Sequence, residues 1–330
     1  MINKPTVLIL GAGASQPYGF PTGEELRSEI CKRLSDEKDL VTRIVCEKKS
    51  LSDISSFVTA LRLSRQYSMD AFLAQRSEYE LIGKLALAAV LLIRQSKSEP
   101  TFDADLSWYQ RLFNALIDNC PDIETFSNNR LTIITYNYDR SLEHYLFLSL
   151  KHTFGLPDKA AAKSVGNLNI VHMHGHVGKV DWEGAQERYN IFDYDGAVNS
   201  WAIRHASSDV ELKRARELTL LHRSASKAVD SIKVIHEVDA SKLPEFMQAR
   251  AALSRAQNIY FLGFGYHELN LERLGHAYWA EVVKCKGTAY KLDAQTKNRL
   301  SSLRIGDNDI KLNLHNGDCY DFLYNEVVLE

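Results

Sequence analysis

The chain has 330 residues, 45% of them apolar and 25% charged, with a formal net charge of −2, an ordinary globular balance with ample material for a core. A sequence pI near 6.6 argues against direct duplex nucleic-acid binding, whose electrostatic footprint lies above a pI of about 9. Five scattered cysteines without a single C-x-x-C pair exclude a four-cysteine zinc ribbon and suit reduced thiols in a cytosol.

The first element in chain order is a β-like run, Val7–Leu10, preceded only by Met-Ile-Asn-Lys-Pro-Thr. That leaves no room for a signal peptide, so a cytoplasmic location is expected. Gly11-Ala12-Gly13-Ala14-Ser15 follows the strand directly, and Thr22 with Glu25 forms a capping box for a helix through about Leu34. Glycines here permit close backbone approach to a pyrophosphate, beside a helix N-terminus that favours anions. The G-x-G-x-x-G dinucleotide fingerprint fails at Gln16, and the acidic strand end expected about 20 residues on is replaced by a helical stretch, Glu29 to Leu34. Both departures argue against a dehydrogenase. A tight strand-to-helix turn with no ligand is the plainer alternative.

The next β-like run, Leu131–Thr135, comes only after about 120 residues of mainly helical pattern. Ser68 or Asp70 is read as the start of a long helix burying Phe72, Leu73, Leu81, Ile82, Leu85 and Val90, and a further helix spans about Leu106 to Ile117. The most apolar stretch, Leu85 to Ile93, is bounded by Lys84 and Arg94 and is far shorter than the ~20 residues that span a bilayer. No membrane association is expected.

Thr135-Tyr136-Asn137-Tyr138-Asp139 closes the second strand, and ligands of open α/β sheets bind beyond that edge. Asn137 offers donor and acceptor for a ribose hydroxyl or water. Asp139 is read as a sugar-hydroxyl acceptor or a brace for the loop, with an Asx-type helix cap near Arg140 as the alternative. The third run, Ile170–Met173, leads into His172-Met173-His174-Gly175-His176. A metal site here would want another ligand from elsewhere, so one histidine as general base is preferred. Strands at Ile259–Leu262, Ala289–Leu292 and Ile310–Leu314 complete the set. They are followed by Gly263-Phe264-Gly265 with a helix from about Glu268, by Asp293, and by Asn316-Gly317-Asp318-Cys319.

Alternating strands and helices predict an α/β fold with a Rossmann-like, mostly parallel sheet. The expected organisation is one domain over 1–330, with a helical insertion at about 36–130 and a second at about 178–247. The second insertion is expected to carry a helix from Asp209 to Val229.

Taken in order, Gly11-Ala12-Gly13-Ala14-Ser15 with Gly19-Phe20-Pro21, then the Asn137 and Asp139 motif, His174-Gly175, Gly263-Phe264-Gly265 and Gly317-Asp318 resemble the sirtuin motif series. The similarity is to the bacterial sirtuin-like effectors of anti-phage defence, which hydrolyse NAD, and it covers about half of the chain. The resemblance implies that Asn137 and His174 are the catalytic pair, and that Gly11, Ala12, Gly13, Ala14 and Ser15, with Pro21, Thr22 and Asp139, hold the nucleotide. It implies that Gly263, Phe264 and Gly265 line the ribose side, and that Asp293, Asp318 and Cys319 surround the adenosine. Three departures count against protein deacylation. The zinc module is missing, Thr22 replaces the usual aspartate after the first loop's proline, and Tyr138 replaces an aliphatic residue.

The expected reaction is therefore cleavage of the nicotinamide–ribose bond of NAD, without zinc. Because constant NAD loss would poison a host, a silent resting state is expected, relieved by homo-oligomerisation, a ligand, or a partner such as a HerA-type ATPase or short Argonaute protein. The competing expectations are an NAD-dependent protein deacylase, and a module that senses NAD or ADP-ribose without turnover.

Overall fold

The computed structural model describes residues 1–95, 107–178, 221–234, 242–276, 279, 281–305 and 310–329. Six parallel strands form the main sheet: β1 (Thr6–Leu10), β2 (Leu131–Thr135), β3 (Asn169–His172), β4 (Asn258–Leu262), β5 (Lys284–Thr288) and β8 (Asn313–His315). Their order, β3-β2-β1-β4-β5-β8, is that of the doubly wound Rossmann-like sheet, which reverses direction between β1 and β4. The expected α/β class holds.

Strand chemistry explains the centre of the sheet. β1 is Thr-Val-Leu-Ile-Leu and β4 is Asn-Ile-Tyr-Phe-Leu, buried at every position, as parallel strands covered by helices on both faces require. Successive residues face opposite sides. Leu8 and Leu10 join a core built with the helices between β1 and β2, whereas Val7 and Ile9 join a second core with Phe246, Leu271 and Leu300.

Two strand predictions at the sheet edge need correction. β5 is Lys284–Thr288 rather than Ala289–Leu292; its Lys-Cys-Lys-Gly-Thr sequence lacks an apolar run because the strand lies near the edge, where Lys286 reaches the Glu326 carboxylate at 3.1 Å. Ile310–Leu314 is two pieces: β7 (Ile310–Lys311) pairs antiparallel with β6 (Arg304–Ile305), and β8 begins at Asn313.

Between β1 and β2 lie α1 (Ala12–Ser15), α2 (Gly23–Leu34), α3 (Leu40–Cys46), α4 (Leu51–Leu63), α5 (Met69–Gln75), α6 (Glu80–Gln95), α7 (Trp108–Ile117) and α8 (Ile123–Phe126). The Thr22–Glu25 capping box is complete. The single long helix expected from Ser68 is divided: Ser68 caps α5, a 3₁₀ turn covers Ser77–Tyr79, and α6 follows. The break rotates the apolar stripe, so Leu81 is exposed rather than buried. α9 (Ser141–Phe154) and α10 (Asp158–Gly166) connect β2 to β3. Of the helix expected from Asp209 to Val229, the part before residue 221 lies outside the described residues, and 221–231 is helical. No helix among the described residues is long and apolar enough to cross a membrane.

Candidate active site

The strand register brings the motifs to one edge. Leu10 pairs with Thr135 and with Leu262, and Thr135 pairs with His172. The residues immediately beyond these positions therefore emerge side by side at the carboxyl end of the sheet, where the strand order reverses. They line a cleft of about 1440 Å³, larger than the ~300–1,000 Å³ of most small-molecule pockets.

The glycine loops flanking the reversal are packed against each other. Gly11 donates its amide to the Leu262 carbonyl at 3.0 Å, and Gly13 donates to the Gly263 carbonyl at 3.0 Å. A Cβ at Gly11 would stand 2.5 Å from the Gly263 oxygen. These amides are thus engaged in joining two loops, and the glycines are explained by the close approach of two backbones. Gly11, Ala12, Gly13 and Ser15 line the cleft, but Ala14 faces the core, and its carbonyl accepts from the Trp108 indole at 2.8 Å.

Asn137 is buried beside this junction. Its Nδ2 donates to the Gly11 carbonyl at 3.0 Å and to Ser15 Oγ at 2.9 Å. A carbonyl can only accept, so this pair fixes which end of the amide is nitrogen. The Asn137 Oδ1 atom is left buried without a hydrogen-bond partner among the described residues. Such an acceptor costs about 1–3 kcal/mol to leave unsatisfied.

Asp139 lines the cleft, and its Oδ1 accepts from the Ser141 amide at 3.1 Å and from the Ser141 hydroxyl. The brace and helix-start reading describes these bonds. Burial pushes the Asp139 carboxyl above its ordinary value, against hydrogen bonds from Ser141 and Ser15.

β3 ends at His172, not Met173, and His174 stands in the turn beyond it. Gly175 has φ +71°, and Lys233 donates its amide to the His174 carbonyl at 2.9 Å, so the segment after helix 221–231 anchors the turn. His174 is buried and lines the cleft. Its ring contacts those of Tyr136 and Tyr138, with centroids at 5.5 and 5.9 Å. Its Nδ1 lies 3.1 Å from Asp70 Oδ1, without a well-aligned hydrogen bond. The Tyr138 hydroxyl donates to the same carboxylate oxygen. Burial works to raise the Asp70 carboxyl, but the adjacent imidazole and hydroxyl outweigh it and hold it below the usual carboxylate range.

His172 has a different role. Its Nε2 is 2.7 Å from Glu143 Oε1 and its Nδ1 is 3.2 Å from the Asn137 carbonyl. Glu143 Oε1 also accepts from Arg140 Nε. Burial acts to raise the Glu143 carboxyl, yet Arg140 and His172 hold it far below its ordinary value. The cluster braces the main chain that carries Asn137.

The remaining sequence-assigned residues divide. Pro21, Thr22, Gly263, Phe264, Gly265, Asp318 and Cys319 line the cleft. Thr22 also caps α2 and Asp318 caps the helix Cys319–Asn325, accepting from the Asp321 amide at 2.9 Å. The Cys319 thiol is pushed up to about 12 by burial, as an inert packed thiol. Asp293 departs from its expected place. It is exposed and caps the helix Ala294–Ser301, accepting from the Thr296 amide at 2.8 Å and hydroxyl at 2.6 Å. With β5 ending at Thr288, Asp293 is well past the strand end, and Tyr290, Lys291 and Leu292 meet the cleft in its stead. Asp70, absent from the sequence-level site, had no signal beyond its place near a helix start; only the fold brings α5 to the histidine.

Comparison with known families and with curated proteins finds no match for this chain.

Proposed function

We propose that the protein is an NAD glycohydrolase, cleaving the bond between nicotinamide and ribose to give nicotinamide and ADP-ribose. The observation that carries this reading is the orphaned Oδ1 of Asn137, held by Gly11 and Ser15 in the same cleft as the His174 imidazole. An acceptor whose amide nitrogen is fixed by two bonds, in one cleft with a histidine, suits positioning a water and removing its proton.

In the proposed reaction the C1′–N1 bond breaks and nicotinamide leaves neutral with the bonding electron pair. Positive charge develops on the ribose. Water held by Asn137 Oδ1 bonds to C1′, and its proton passes to His174. The cleft's place at the strand-order reversal, where dinucleotides bind in doubly wound sheets, and its size support a dinucleotide as the substrate. The sirtuin-like motif order supports the same chemistry, and an effector role that depletes NAD during phage infection, with activity released by assembly or by a partner chain, follows from that resemblance.

Nicotinamide release from NAD, followed with and without the neighbouring gene's product, tests the proposal. Asn137→Ala and His174→Ala are each expected to lower the rate about 10²–10⁴-fold. Wild-type rates in both variants would overturn it.

A further inference from the structure

We infer that Asp70, carried into the cleft by the helical block between β1 and β2, is the positioning residue of His174, with Tyr138 as the third member of the set. The inference deepens the proposed hydrolase reading and rests on it for its kinetic consequence. Its structural content stands independently.

Three observations converge. One Asp70 oxygen accepts from the Tyr138 hydroxyl and lies 3.1 Å from the His174 Nδ1, within ion-pair range but off hydrogen-bond alignment, so a small turn of either side chain completes the bond. The opposite ring nitrogen, Nε2, carries no hydrogen bond from any described residue, while the histidine lines the cleft. The ring is also packed, with Tyr136 and Tyr138 against it, and Lys233 holds the main-chain carbonyl of the residue that carries it. A carboxylate at Nδ1 selects the tautomer with the proton there, leaving Nε2 as the base that faces the reaction.

Tyr138 completes the arrangement. This position is one of the departures from the sirtuin-like pattern, and its hydroxyl explains the departure by donating to the carboxylate. Burial, with Asp70 adding to it, raises the Tyr138 hydroxyl well above its ordinary value, so it stays a donor. During hydrolysis the water proton goes to His174 Nε2. Asp70 stays ionised and stabilises the imidazolium without taking the proton.

The carboxylate comes from α5, a short helix held by the Ser68 cap. The block between β1 and β2 is then part of the catalytic apparatus, and the sheet motifs alone would leave His174 without its partner.

The test uses the intact chain with Asp70→Asn, Asp70→Ala and Asp70→Glu. Two readouts are followed: the histidine side-chain ¹⁵N shifts, which report the tautomer of His174, and the kinetics of nicotinamide release. In the wild type His174 is expected as the Nδ1–H form, and Asn and Ala are expected to abolish that preference. They should lower kcat about 10²–10⁴-fold with KM changed less than about threefold, a split that a change in substrate binding would not give. Asp70→Glu keeps the charge and is expected to recover part of kcat; should Asn and Ala not fold, the tautomer and kcat of this variant and of Tyr138→Phe decide. An unchanged tautomer and kcat in the folded variants overturns the inference. A wild type that releases no nicotinamide overturns the hydrolase reading, and the tautomer measurement still decides the role of Asp70.

Discussion

The amide of Gly13 donates to the carbonyl of Gly263 at 3.0 Å, tying the loop after β1 to the loop after β4 across the point where the sheet reverses. The contact is so close that a Cβ on Gly263 would stand 2.0 Å from the Ala14 nitrogen, at a residue with φ +57°. Backbone cannot retreat there without parting the two strands. Gly263→Ala is therefore expected to cost at least about 4 kcal/mol, in the range that marks a specific steric failure. Gly19 is the control: its φ is +85° but nothing lies within 4 Å of an added methyl group, so Gly19→Ala should cost only about 1–2 kcal/mol from left-handed strain. Denaturant melts of the two variants check the difference; equal losses would mean that strain, not contact, governs both.

Ser15 provides a finer test of the cleft. Its hydroxyl accepts from Asn137 Nδ2 at 2.9 Å, while the Gly11 carbonyl retains the second bond at 3.0 Å. Ser15→Ala should loosen the amide without releasing it. A lost hydrogen bond of about 1.4 kcal/mol corresponds to a tenfold change. Nicotinamide release should fall about tenfold, with a stability loss of about 1–3 kcal/mol because Ser15 also hydrogen-bonds the buried Asp139 carboxyl. A loss as large as that of Asn137→Ala would show that the serine does more than hold the amide.

The Arg140–Glu143–His172 cluster predicts how stability responds to acid. The Glu143 carboxyl is held below its ordinary value in the folded chain, chiefly by Arg140 and His172 working against burial. The unfolded state, with an ordinary value of about 4.3, binds the proton more readily. The cluster's stabilisation is thus complete above that value and declines as pH falls below it. Arg140 and Glu143 side chains are only 7% and 5% exposed, so Glu143→Ala removes one buried charge-assisted bond from a guanidinium that keeps its bond to the Gly178 carbonyl, at a cost of about 1.5–3 kcal/mol. It should also flatten the acid limb of the stability curve between about pH 5 and 3. An acid limb in the variant identical to that of the wild type would place the titration elsewhere.

Sequence made the centre of this molecule legible and left its margins obscure, for a physical reason. β1, β2 and β4 are buried on both faces, so their apolar runs identify them, and the residues that follow each run reach the cleft by register alone. β5 sits near the edge and carries lysines and a glycine; the more apolar Ala289–Leu292 drew the strand assignment and carried Asp293 to a place it does not occupy. The glycines of the first loop suggest a phosphate cradle from spacing, yet Gly11 and Gly13 are constrained by Gly263, about 250 residues further on, a contact no local pattern encodes. Asp70 was hidden in the same way. Its sequence neighbourhood reads as a helix start, and what makes it part of the site is its approach to His174 across the fold.

The turn that carries His174 is also held from outside the sheet, and this gives a last prediction. Gly175 has φ +71°, and a Cβ there would fall 1.8 Å from the Ser231 carbonyl oxygen. The Lys233 amide binds the His174 carbonyl next door, so the segment after helix 221–231 and the histidine turn must move together. Gly175→Ala forces them apart. The sheet is untouched, since β3 ends at His172, and the fold should survive. Displacing a catalytic group by about 1 Å costs on the order of 10²-fold in rate, so nicotinamide release should fall by about that factor. Hydrogen exchange at the Lys233 amide should accelerate in the same variant, because its acceptor has moved away. Reduced release with Lys233 still protected would place the defect within the turn itself, and the claim that this segment fixes the position of His174 would fail.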